Sequence, residues 1–296
     1  MSSSSAPGDA AGRTFFITGG NTGIGLATAA VLARDGGRVY IGCRSAEAGE
    51  AAVARIREQS GSAEVFLLPL DLASLASVRA CAESFLARDE PLHVLVNNAG
   101  VGGQRGLTAD GFELQFGVNH LGHFALTQLL LPRLAASGPG ARVVNVSSDA
   151  HYNAPGIDFG AVRRRTATFA GMREYCVSKL CNVLFTQELA RRAAGTGVRA
   201  YALHPGVVAS DIWRRVPRLA RPFITRRMLT VEQGAVTSVY CAASPAVAAD
   251  NGLFYDKSAV RPASPVATLE LAGLLWQHSA EWSETEWTGA GQTTAG

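Results

Sequence analysis

The chain has 296 residues, 47% hydrophobic and 17% charged, with a formal net charge of +3 and a pI near 8.7. That balance fits one folded domain with a large core and is too weakly basic to mark a nucleic-acid surface. Five scattered cysteines form no C-x-x-C pair and no histidine cluster has metal-ligand spacing, so reduced thiols, a cytoplasmic setting and no metal centre are expected.

The start, "MSSSSAPGDAAG", lacks a basic segment followed by an apolar one, and no apolar run of about 18 residues occurs, so neither secretion nor membrane spanning is expected. Residues 1–12 and 288–296 are expected to be disordered, with a single domain over 13–287. Along the chain, "TFFIT" (14–18), "VYIG" (39–42), "VFLLPL" (65–70), "HVLVN" (93–97), "RVVNV" (142–146) and "VRAYAL" (198–203) read as strands buried on both faces. Between them, stretches such as "GLATAAVLARDGG" and "SVRACAESFLARDE" carry apolar residues at helical spacing. The alternation predicts an α/β fold, a doubly wound parallel sheet of about seven strands with helices on both faces. Ligands of such sheets bind beyond the carboxyl ends of the strands, so motifs that follow strands carry most weight.

The first strand is followed by "TGGNTGIG", residues 18–25, with Gly19, Asn21, Thr22, Gly23, Ile24 and Gly25 at the start of a helix. Glycines here allow a tight turn and bring backbone N–H groups and a helix N-terminus to a pyrophosphate, although a plain glycine turn has the same composition. The second strand ends in "IGCRS", where no acid stands ready for a ribose 2′-hydroxyl. Arg44 could pair with a 2′-phosphate, which favours NADP(H) over NAD(H); a surface arginine is the alternative. In "PLDLAS", Asp71, with Leu72 beside it, could accept from an adenine amino group or cap the next helix. "NNAG" contributes Asn98, Ala99 and Gly100, small enough for close approach to a ribose.

Asn119 in "GVNHLGHF", Ser147 and Ser148 in "VNVSSDAH", Tyr175 and Lys179 in "YCVSK", and "HPGVVAS" at 204–210 complete an ordered series. The series, over roughly residues 13 to 256, resembles the short-chain dehydrogenase/reductase superfamily, a Rossmann-fold family. "VNVSSDAH" and "YCVSKLCNVLF" are similar to its retinol dehydrogenase-like branch. The resemblance implies Tyr175 as general acid/base, Lys179 as its activator and ribose ligand, Ser148 as donor to the carbonyl oxygen, and Asn119 as holder of a relay water. It also implies that Pro205, Gly206, Val208 and Ser210 face the nicotinamide side, with Ser210 where many relatives have threonine. Many relatives dimerise through two long helices, here around 109–136 and 172–194, so a homodimer or homotetramer is implied.

Physical chemistry supports the Tyr–Lys pairing. A phenol with pKa near 10 needs about 4 kcal/mol of differential stabilisation to titrate near 7, and a lysine one helical turn away, with a positive nicotinamide, can contribute that field. Lysine occurs only at Lys179 and Lys257, so its use beside Tyr175 is selective. Singly, Tyr and Lys at this spacing, or a serine pair after a strand, read as ordinary helix surface or turn. His151 and His204 read as local hydrogen-bonding residues, and His120 and His123 as buried structural ones.

Ser148 and Tyr175 lie 27 residues apart, and the insert between them is expected beside the substrate pocket. Residues 211–229, "DIWRRVPRLARPFITRRML", carry an apolar stripe broken by Pro217 and Pro222; they read as a lid over a hydrophobic substrate, with contact to anionic lipid or a solvated basic face as alternatives. The function expected is NADP(H)-dependent interconversion of a hydrophobic alcohol and its aldehyde or ketone. A tailoring ketoreductase for secondary metabolites and a non-catalytic NADP(H)-binding sensor or scaffold are the alternatives.

Overall fold

The computed structural model describes residues 10–208 and 229–287. Seven parallel strands, β1 (Thr14–Thr18), β2 (Arg38–Cys43), β3 (Val65–Pro69), β4 (Val94–Asn97), β5 (Arg142–Val146), β6 (Arg199–His204) and β7 (Leu253–Asp256), form one sheet. A two-residue strand, β8 (Ala259–Val260), pairs antiparallel with β7 at the edge. The order is β3-β2-β1-β4-β5-β6-β7-β8, one strand more than the sequence predicts. The extra strand is too short and exposed to leave a periodic signal. Ala10 is buried and the Gly12 N–H bonds the Gly36 carbonyl, so the folded domain already includes residues 10–12, ahead of the boundary expected at 13.

Buried strands alternate which face they feed, as a two-residue period requires. Phe15 and Ile17 join Val94, Val96, Val144 and Tyr201 beneath helices α1 (Gly23–Arg34) and α2 (Ala46–Ser60). Phe16, Leu95 and Val143 face the other way, toward α3 (Leu75–Leu86), α5 (Gly122–Ala136) and α6 (Met172–Arg192). A short α4 (Leu114–Phe116) leads through a π-turn at Gly117–Leu121 into α5. α7 (Val231–Ala243) packs beside α1 on the first face. Strand order reverses between β1 and β4, and the carboxyl ends on either side of that point form the rim on which the site is built.

The insert and the C-terminal helix α8 (Leu269–Ser283) make a third apolar cluster. Ala154 and Val162 of the insert pack with Leu180 and Leu184 of α6 and Leu275 of α8. Trp276 of α8 sits edge-on to Phe124 at 5.0 Å, and His120 Nε2 lies 2.9 Å from Ser279 Oγ. α8 thus packs on part of α5 and α6, the helices through which oligomers are expected. Among the described residues no helix is long and apolar enough to cross a membrane.

Because Trp276 is almost fully buried and also receives the Arg192 guanidinium at 4.6 Å, Trp276→Ala should lower unfolding free energy by about 3–5 kcal/mol in urea titration.

Candidate active site

Between β1 and α1 the chain passes through Gly19 at φ 66°, a conformation that favours glycine. A Cβ on Gly25 would lie 2.4 Å from both Asn98 Nδ2 and the Gly19 carbonyl, so only glycine lets the α1 turn meet the loop after β4. The hub of that meeting is the Thr18 hydroxyl. It accepts from the backbone N–H groups of Asn98 and Ala99, both at 3.0 Å, and donates to His123 Nε2 at 2.8 Å. His123 Nδ1–H donates to the Asn119 carbonyl at 3.0 Å. Burial pushes His123 down to about 4 and His120 to about 3, so both are neutral structural rings, as expected from sequence.

Along the rim runs a cleft of about 640 Å³. Its walls include Gly19, Asn21, Thr22, Gly23, Ile24 and Gly25 from the first loop, Arg44 after β2, Asp71 and Leu72 after β3, and Asn98, Ala99 and Gly100 after β4. Tyr175, Lys179 and Pro205 close the other end. Arg44 is exposed at the rim. Asp71 does not cap α3: Ser74 accepts from Ser77 N–H there, while Asp71 Oδ1 accepts from Ala73 N–H at 2.9 Å in a local turn. Val101, Gly102, Gln104, Leu114 and Val118 also line the cleft and were not picked out from sequence, because no motif marks them; only the placement of the loop after β4 brings them there.

α6 is pinned to the end of β5. Lys179 Nζ donates to the Val146 carbonyl at 3.0 Å, Asn182 Nδ2 reaches the same oxygen at 3.1 Å, and the Ser147 hydroxyl donates to the Lys179 carbonyl at 2.7 Å. The ammonium is buried, which pushes it down to about 8, and lies 5.7 Å from the Tyr175 ring centroid. Burial raises the Tyr175 phenol, and the nearby Ser148 side chain partly offsets the rise. The Ser148 hydroxyl also accepts from Ala150 N–H at 3.2 Å, capping the short turn Asp149–Asn153.

Asn119 sits within the π-turn, close to Gly100 and Lys179, a Cβ on Gly100 falling 3.3 Å from Asn119 Oδ1 and 3.5 Å from Lys179 Nζ. Its amide is already engaged: Oδ1 accepts from Val101 N–H at 2.8 Å, and Nδ2 donates to the Val101 carbonyl and to Ser178 Oγ, both at 2.9 Å. Gly206 at φ 86° and Val208, which bridges to Leu229, continue from Pro205. Ser210 and all of the expected lid except Leu229 lie outside the described residues. Within the insert, Ala154 and Val162 pack with α8, while its far end reaches back toward the loop after β4: Thr166 Oγ1 accepts from Gly106 N–H at 3.1 Å and Gln115 Nε2 donates to the Gly171 carbonyl at 2.6 Å.

A glycine-rich turn at a helix start, at the reversal point of a parallel sheet, beside a buried Tyr–Lys–Ser group, defines a dinucleotide-binding oxidoreductase. The sequence profile of the short chain dehydrogenase family matches residues 13–219, and the chain belongs to that family, in its retinol dehydrogenase-like branch. It is 46% identical over 286 residues to human retinol dehydrogenase 12, covering 93% of this chain and 88% of that one. Its fold matches the crystal structure of an uncharacterized protein from Mycobacterium Paratuberculosis with TM-score 0.74 at 37% identity, covering 93% and 95% of the two chains. It also matches the Pseudomonas aeruginosa RhlG/NADP active-site complex, with TM-score 0.66 at 26% identity over 84% and 96%. The chain is an oxidoreductase of alcohols and carbonyls that uses a nicotinamide cofactor, and the residues of the cleft fit that group.

Removing the Thr18 hydroxyl leaves the Asn98 and Ala99 N–H groups without their acceptor. Thr18→Val should cost about 1–3 kcal/mol in chemical denaturation, while Thr18→Ser keeps most of the stability.

Proposed function

We propose that the protein is an NADP(H)-dependent oxidoreductase interconverting a hydrophobic alcohol and its aldehyde or ketone, with Tyr175 as general acid/base. The carrying observation is that Tyr175, with Ser148 close enough to act on its phenol and Lys179 one helical turn away, lines the same cleft as Arg44. When bound, the nicotinamide supplies or takes the hydride. In reduction, the Ser148 hydroxyl would hold the carbonyl oxygen and Tyr175 would give it a proton. The raised phenol pKa keeps Tyr175 protonated at neutral pH, the form this direction needs. In oxidation the phenolate draws on the Lys179 ammonium, which at about 8 stays mostly charged at pH 7. Lys179 has donor capacity beyond its bond to Val146 and borders the cleft, which suits a ribose hydroxyl.

Preference for NADP(H) rests on Arg44 standing where a ribose-binding acid would otherwise follow β2, and a structural relative was solved with NADP. Val101, Leu114 and Val118 give the cleft an apolar wall, and the relatives named for retinol accord with a hydrophobic substrate.

Two measurements test this reading. Tyr175→Phe should bind NADPH, followed by fluorescence, yet lose turnover by about a hundredfold or more; an active variant sinks the assignment. Arg44→Ala should raise the NADPH dissociation constant about ten- to a hundredfold, as expected for a lost charged hydrogen bond, and leave NADH nearly unchanged; equal losses refute the preference.

A further inference from the structure

The peptide bond that follows Ser148 is gripped at both of its polar atoms by histidines from different parts of the chain. His151 Nδ1 lies 2.6 Å from the Ser148 carbonyl oxygen, and its Nε2 is 3.1 Å from Ser264 N. His204 Nδ1 lies 3.3 Å from Asp149 N, with its Nε2 3.5 Å from Asp149 Oδ2. A backbone N–H can only donate and a carbonyl can only accept, so the proton positions follow. His151 must keep Nε2 bare for Ser264 and carry its hydrogen on Nδ1, donating to Ser148. His204 must keep Nδ1 bare for Asp149 and carry its hydrogen on Nε2, facing the carboxylate. Two neutral rings in opposite tautomers hold one peptide unit.

We propose that His151 and His204 are positioning residues that act through Ser148, fixing the direction of its hydroxyl by clamping the Ser148–Asp149 peptide, and that protonation of either ring releases the clamp. The inference rests on Ser148 holding the substrate oxygen as proposed above. Ser148 has extended backbone, φ −168° and ψ 158°, so its side chain turns with that peptide plane. Both rings are buried, and His151 is wedged between Tyr152 and Phe254, with ring centroids at 3.9 and 4.6 Å.

The charged and titratable surroundings come from four elements. Asp149 lies on the turn itself, Asp256 ends β7, Lys257 follows it, and Arg261 comes after β8, bonding Asp149 at 2.9 Å and Asp256 at 3.1 Å while covering the Tyr152 ring. Burial lowers both histidines below the usual range, Asp149 opposes this, and Arg261 reinforces it. The clamp is therefore intact at neutral pH and is lost in acid. A proton added to His204 Nδ1 would face the Asp149 N–H, and one added to His151 Nε2 would face the Ser264 N–H. Each turns an accepting atom into a second donor.

The test is steady-state reduction of a long-chain aldehyde such as nonanal by NADPH, with NADPH binding measured separately. His204→Phe and His151→Phe should lower kcat about ten- to a hundredfold, the scale of a small misplacement, with NADPH binding unchanged. His204→Asn and His151→Asn, whose amides offer an acceptor or donor near the former Nδ1, should recover most of that loss. In a Ser148→Ala background the Phe substitutions should cost nothing further. Unchanged kcat in the Phe variants, an equal loss in both backgrounds, or Asn no better than Phe overturns the clamp. A fully active Ser148→Ala instead removes the role of Ser148 itself, a failure of the parent reading that is read separately. Should the Phe variants not fold, the pH profile decides: replacing a titrating ring by asparagine must move the acid-side fall of kcat to lower pH, and an unmoved profile overturns the proposal.

Discussion

Everything in the site hangs on how α6 is fastened to the end of β5. The Val146 carbonyl, freed because the strand ends there, accepts from both the Lys179 ammonium and the Asn182 amide, and Ser147 ties back to the Lys179 carbonyl. Burying an ammonium is unfavourable unless it is met by acceptors, and the depressed pKa of Lys179 records that cost. The same three bonds set the rotation of α6, and rotation sets where Tyr175 stands one turn earlier. Ser148 immediately follows this fastening, so Tyr175 and the Ser148 side chain beside it are referenced to one strand end.

A second polar frame lies behind it. Asn97 at the end of β4 donates to Thr127 at 3.0 Å and to Asn145 of β5 at 2.8 Å, and Asn145 donates to Thr186 of α6 at 2.9 Å. These groups are buried, where hydrogen bonds are costly to break, and they hold one arrangement even though Asn97 Oδ1 has no protein donor among the described residues. With Thr18 and His123 serving the first loop in the same way, the floor of the cleft is held by side-chain bonds between elements far apart in sequence. The glycine loop can then remain open to solvent without losing its shape.

Strands, helices and the motifs after them were legible in sequence because continuous apolar runs admit few alternatives and because glycine, tyrosine and lysine have uncommon uses at their positions. The edge strand Ala259–Val260 was not legible, being two exposed residues. Nor was the path of the insert, since Ala154 and Val162 look like loop residues until α8 supplies the surface that buries them. Asp71 was ambiguous for a physical reason: a carboxylate before a helix serves equally as cap, turn or ligand, and only the nearby Ser74 settles which helix end it leaves free.

By itself the sequence determined the α/β class, the family and the identity of the residues that gather at the strand ends, because periodicity and residue chemistry are local properties. Tertiary structure alone decided what those residues touch. The engaged amide of Asn119, the neutral tautomers of His123, His151 and His204, and the raised phenol of Tyr175 depend on partners 3 to 113 positions away and on exclusion of water. Hydrogen-bond direction and burial are properties of the folded neighbourhood. Lys179, one of two lysines in the chain, shows both halves: its placement is written in the sequence, and its buried bond to Val146 exists only once β5 and α6 have met.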